Sequence, residues 1–93
     1  MAGRLSGKRI IITGAIGNIG KEAVRSFVAE GARVVIGDIA EAAGRAVVAE
    51  FGDATHFVQT DVSSEASVAN LIESGARWLG GLDALAQNAG LQR

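Results

Sequence analysis

With 93 residues, 48% of them hydrophobic, the chain has the size of one small domain and the apolar content for a modest core. Ten acids against nine bases leave a net charge of −1, so neither a nucleic acid nor a membrane surface is an expected partner. Cysteine is absent, which excludes disulfides and thiolate metal sites; no apolar run approaches the ~18 residues of a membrane span, and the polar start from Met1 to Gly7 does not read as a signal peptide, so a cytoplasmic protein is expected.

The chain opens with an apolar strand, Lys8-Arg9-Ile10-Ile11-Ile12, that runs into Thr13-Gly14-Ala15-Ile16-Gly17-Asn18-Ile19-Gly20 and then an amphipathic helix. That context makes the glycine spacing a phosphate-binding turn. Gly14 supplies conformational freedom at the bend. Gly17 and Gly20 can serve close approach of a pyrophosphate and tight packing of helix on strand. The helix N-terminus then offers unpaired N–H groups and a positive dipole end to an anion. A nucleoside-triphosphate P-loop would need Gly at position 15 and Ser or Thr at 22; Ala15 and Glu22 stand there, so that chemistry is rejected. Ile19, Ala23, Val24, Phe27 and Val28 form the apolar face of this first helix, which Gly31 ends.

Arg33-Val34-Val35-Ile36-Gly37-Asp38 is a β-branched second strand, and its terminal acid falls 18 positions after Gly20. An acid there accepts hydrogen bonds from the adenosine ribose and repels a 2′-phosphate. Ile39 follows, so no cation stands ready for NADP, and NAD is expected. The rival reading makes Asp38 a turn residue or a helix cap. Ala43, Ala46, Val47 and Phe51 mark a second helix ended by Gly52, and His56 to Thr60 a third strand. His56, the single histidine, has no partner at hand and takes a surface or packing role. Val68, Leu71, Ile72, Gly75, Ala76 and Leu79 keep helical spacing in a third helix capped by Ser63 or Ser64, with Trp78 covering the core near its end. Gly80-Gly81 breaks it, and Leu82 to Gln87 makes a fourth strand. The order β-α-β-α-β-α-β implies an α/β fold with a Rossmann-type parallel sheet, strand order 3-2-1-4, spanning residues 1–93 as one dinucleotide-binding domain.

From Gly7 to Gly90 these residues resemble the short-chain dehydrogenase/reductase family. Thr13 to Gly20 is similar to its cofactor loop, Asp38 to its NAD-selecting acid, and Asp61-Val62 to the pair beside the adenine ring. Asn88-Ala89-Gly90 is similar to the Asn-Asn-Ala-Gly signature after the fourth strand, with Gln87 in place of the first asparagine. In the glycine run, Asn18 replaces a glycine of the family's ordinary branch, and Gly17 fits the spacing of the extended branch. Asparagine tolerates left-handed backbone angles, so the turn survives.

The resemblance implies NAD contacts from the loop residues Thr13, Gly14, Ile16, Gly17, Asn18, Ile19 and Gly20. It implies further contacts from Asp38 and Ile39 at the ribose, from Asp61 and Val62 at the adenine, and from Asn88, Ala89 and Gly90 near the nicotinamide ribose. Asp61 has a rival role as a cap, and Asn88 one in a turn. The family interconverts alcohols and carbonyls with a serine and a Tyr-x-x-x-Lys pair placed after the fourth strand. This chain has no tyrosine, and its lysines are Lys8 and Lys21 alone. It is therefore expected to be the NAD-binding portion of such an oxidoreductase, truncated before its catalytic residues and inactive in isolation. The fourth strand, whose Leu82, Ala84, Leu85 and Ala86 read as buried on both sides, is expected to pair with a second copy or a complementary fragment. The alternatives are a stand-alone adenine-dinucleotide module and a half-fold that self-associates.

Overall fold

The computed structural model describes residues 6–14 and 17–87. Strands β1 (Arg9–Thr13), β2 (Arg33–Asp38), β3 (Thr55–Gln59) and β4 (Ala84–Gln87) alternate with helices α1 (Asn18–Ala29), α2 (Glu41–Phe51) and α3 (Glu65–Leu79). All strand pairs are parallel, in the order β3-β2-β1-β4. The β-branched runs favour extended backbone, and their near-continuous apolar character suits strands covered on both faces.

Alternation along each strand divides the core in two. Ile10, Ile12, Val34 and Ile36 point to one face, where they pack with Val24 of α1, Val47 of α2 and Phe57 of β3. Ile11 and Val35 point to the other, against Leu71 and Leu79 of α3, with Val58 and Trp78 alongside. Two crossovers lie on one face and the third on the opposite face, the doubly wound arrangement expected from the sequence. Ile11, Ile12, Val24, Val34, Val35 and Ile36 are fully buried, and each such side chain stabilises the fold by roughly 1.5–3 kcal/mol. Ser64 caps α3, its Oγ accepting from the Ser67 N–H at 3.2 Å, and Gly80 ends that helix in the left-handed conformation at φ +83°.

One expectation is corrected. Ala46 is exposed and Gly44 takes its place on the inner face of α2, because the Phe57 ring lies where a Cβ at Gly44 would be. His56 takes a packing role, as expected: its ring stacks on Trp78 at 5.0 Å between centroids, 11° from parallel, and the Arg33 guanidinium lies 4.2 Å from the same Trp78 ring. Leu82 and Leu85 are 36% and 41% exposed, and Ala84 is exposed as well, the apolar surface that the expected pairing partner of β4 would cover. β4 is an edge of the sheet, and among the described residues only Ala86 of the four packs against the core. The start of β4 is fixed to β1 by Asp83. Its carboxylate accepts from Arg9 Nε (3.0 Å), Nη2 (3.2 Å) and backbone N–H (2.8 Å), while Asp83 N–H donates to Arg9 O at 2.8 Å.

Candidate functional site

The chain leaves β1 for β2 and β3 on one side, then returns past β1 to place β4 on the other. The switch point therefore falls between β1 and β4, and ligands of open α/β sheets bind outside the carboxyl ends of the strands at such a point. A cleft opens at that end of the sheet, lined by Gly14, Gly37, Asp38, Ile39, Thr60, Asp61 and Val62.

Its first wall is the turn after β1. Thr13 is buried at the strand end, in register with Gly37, and Gly14 turns the chain with φ +75°, a conformation open to glycine at little cost. Gly17 is the N-cap of α1 at φ −73°, ψ 172°, without a side-chain capping bond and with no acid in the first turn. A Cβ at Gly17 would meet nothing within 4 Å. Among the described residues neither backbone conformation nor packing demands glycine here. Lys21, at the start of the helix, is paired with Glu50 at 3.4 Å. The attraction of this end of the cleft for an anion thus comes from helix N–H groups and dipole. Asn18, Ile19 and Gly20 form the first turn of α1; Ile16, Asn88, Ala89 and Gly90 lie outside the described residues.

The second wall is the turn after β2. Asp38 Oδ1 accepts from the Ala40 N–H at 3.0 Å, so the rival reading of Asp38 as a turn residue holds. That bond uses one carboxylate oxygen and leaves Oδ2 without a protein donor among the described residues. Ile39 is 63% exposed and Val62 51%; both line the cleft and present bare apolar surface to it. The third wall is the loop after β3. Asp61 Oδ1 accepts from Ser63 Oγ at 2.6 Å and from Ser63 N–H at 3.0 Å, while Asp61 N–H donates to Ser67 Oγ at 2.8 Å. The Ser63 hydroxyl, then its N–H, hold the Asp61 carboxyl below the usual carboxylate range. The cleft therefore presents two acids and no cation.

Sequence reading passed over Gly37 and Thr60. A Cβ at Gly37 would stand 2.6 Å from Leu71 Cδ2 and 3.1 Å from Thr60 Oγ1, so α3 and the cleft wall close on this strand end only because it is glycine. A glycine inside a β-branched run was the available signal. Among the described residues no group of three or more His, Asp or Glu side chains could hold a metal ion, and no helix is long and apolar enough to cross a membrane.

This is an open, doubly wound α/β protein with a cleft at the carboxyl ends of β1, β2 and β3, next to a glycine turn and a helix N-terminus without a side-chain cap. The family model for short chain dehydrogenases matches residues 8–93, and the chain belongs to that family. It is 42% identical over 91 residues to a 3-alpha-(or 20-beta)-hydroxysteroid dehydrogenase of Mycobacterium bovis, covering 98% of this chain and 35% of that protein. It is 43% identical over 91 residues to a 3-beta-hydroxysteroid dehydrogenase of Comamonas testosteroni, covering 98% of this chain and 36% of the relative. Among solved structures, a 3-ketoacyl-(acyl-carrier-protein) reductase of Brucella melitensis complexed with NADH superposes with a TM-score of 0.84 at 38% identity, over 87% of this chain and 33% of the other. A hydroxysteroid dehydrogenase of Escherichia coli gives 0.86 at 38%, over 90% and 36%. The chain thus spans about a third of the length of these relatives.

Proposed function

We propose that residues 1–93 form the dinucleotide-binding part of an NAD-dependent oxidoreductase that interconverts an alcohol and a carbonyl. The observation that carries the reading is the cleft itself, with a glycine turn and uncapped helix at one end and an acid at the end of β2 on its wall. The pyrophosphate lies over Gly14, Gly17 and the first turn of α1, including Asn18, Ile19 and Gly20, with Thr13 at the strand end and Ile16 assigned to the same loop from the sequence resemblance. The adenosine ribose hydroxyls donate to Asp38. The adenine fills the cleft between Ile39 and Val62, beside Asp61, and the nicotinamide ribose is assigned to Asn88, Ala89 and Gly90 from the sequence resemblance. An NADH complex of a relative at 38% identity supports a nicotinamide dinucleotide.

NAD is preferred over NADP because a 2′-phosphate would enter a cleft holding Asp38 and Asp61 with no cation to meet it. The chain carries no tyrosine, so the group that moves a proton to or from the substrate oxygen is supplied from outside these residues. The unpaired β4 edge, with Leu82 and Leu85 exposed, favours a further strand against it, from additional chain or a second copy. The double variant Asp38→Ala with Ile39→Arg tests the ribose assignment by calorimetric titration. The expected result is weaker NAD binding with NADP now preferred; an unchanged preference would refute the assignment.

A further inference from the structure

We propose that Gln59 is a positioning residue for the adenosine site, setting its response to the ribose 2′-hydroxyl by gripping the peptide that orients Asp38. The inference rests on the dinucleotide reading above. Gln59 ends β3 directly opposite Asp38 in the sheet register. Its Nε2 donates to Ile39 O at 3.1 Å, reaching out of its own strand to the turn that carries the ribose acid.

That carbonyl belongs to the same peptide unit as the Ala40 N–H, which donates to Asp38 Oδ1 at 3.0 Å. A peptide unit is planar, with C=O and N–H on opposite sides. One rigid plane is therefore held at its oxygen by Gln59 and at its hydrogen by Asp38, so fixing the first orients the second. Among the described residues no other hydrogen bond holds it: the nearby bond from Thr60 N–H goes to Asp38 O at 2.8 Å, one peptide earlier. The Ile39 side chain is 63% exposed. Without Gln59 the Ile39–Ala40 peptide can rotate, its N–H leaves Oδ1, and the Asp38 carboxylate turns away from one fixed direction. Gln59 is itself exposed, so its removal leaves the core intact.

The test uses this chain with ADP and 2′-deoxy-ADP, which differ by one hydroxyl and not in charge. A hydrogen bond to an ionised acceptor predicts that the wild type prefers ADP by about tenfold. Gln59→Leu, which fills similar volume without a donor, is expected to lose ADP affinity, keep its 2′-deoxy-ADP affinity, and so bring the ratio near one. Gln59→Lys, which restores a donor of sufficient reach, is expected to recover the ratio. In an Asp38→Ala background Gln59→Leu is expected to have no further effect. Thermal melts confirm that each variant folds. A wild-type preference that survives in Gln59→Leu, or a variant that weakens both ligands equally, overturns the positioning role alone. A folded wild type that binds neither ligand overturns the dinucleotide reading and this inference with it.

Discussion

Gly17→Ser is expected to stabilise the chain while weakening its ligand, a pair of opposite signs that separates a functional glycine from a structural one. At φ −73° and ψ 172° the N-cap position accepts any residue, and among the described residues the new Cβ has nothing within 4 Å. Serine is better than glycine at an N-cap by a few tenths of a kcal/mol, and replacing glycine at a compatible site removes unfolded-state freedom, so the sum is about 0.5–1 kcal/mol. For a domain of this size that raises Tm by roughly 2–8 °C. The introduced hydroxyl accepts from the N–H of the second or third helical residue, the donors to which the proposed function assigns the pyrophosphate. Losing one hydrogen bond to a charged ligand costs about 1.5–3 kcal/mol, which predicts ADP-ribose binding weaker by about 10–100-fold. Thermal melts and calorimetric titration on the same samples read both effects. A raised Tm with unchanged affinity would remove the phosphate from this turn, and a lowered Tm would contradict the open space at Gly17.

Gly44→Ala ought to stabilise α2 by up to about 1 kcal/mol on helix propensity alone. The Phe57 ring, with Cζ 2.6 Å from the added Cβ, reverses the sign, because overpacking costs about 1–3 kcal/mol. A urea melt should show net destabilisation that Phe57→Leu partly relieves, and a rise in stability would refute the contact. Asp83 sits at about 2, held down first by the Arg9 side-chain bonds. A depressed carboxylate contributes stability above its unfolded pKa and loses it as pH falls through the folded value. Asp83→Asn should therefore lower Tm at pH 7, with the gap to wild type closing between about pH 4 and pH 2; a gap independent of pH would contradict the clamp. Burial, then the Arg45 charge, push His56 below its usual 6.5. Since protonation then favours the unfolded chain, His56 supports the fold fully above 6.5 and less as pH falls below it. Emission from Trp78, the single tryptophan, should report His56 protonation with a midpoint below 6.5, which His56→Gln abolishes; a midpoint at or above 6.5 would refute the burial of this stack.

The fold was legible because its signals are local. The β-branched run Arg33–Asp38 is β2 residue for residue, β1 and β3 are displaced by one residue, and Ser64 and Gly80 bound α3 through capping chemistry written in adjacent residues. Interactions between distant residues were not legible. Helical spacing placed Ala46 inward, whereas the Phe57 ring makes Gly44 the point of closest approach. An apolar β4 read as buried, yet what covers Leu82 and Leu85 is not set by their own sequence. At the site, Gly14, Asp38, Ile39, Asp61 and Val62 line one cleft. The contribution of Gly37 depends on Leu71, and that of Gln59 on a bond 20 positions back along the chain; no periodicity or motif carries either.

Calorimetric titration of this chain with NAD, NADP and ADP-ribose tests the central claim most directly. If the cleft holds the adenosine diphosphate part of NAD, then NAD and ADP-ribose bind saturably with similar affinity, and NADP binds at least tenfold more weakly. A folded sample that binds none of them, or that takes NADP as well as NAD, would contradict it.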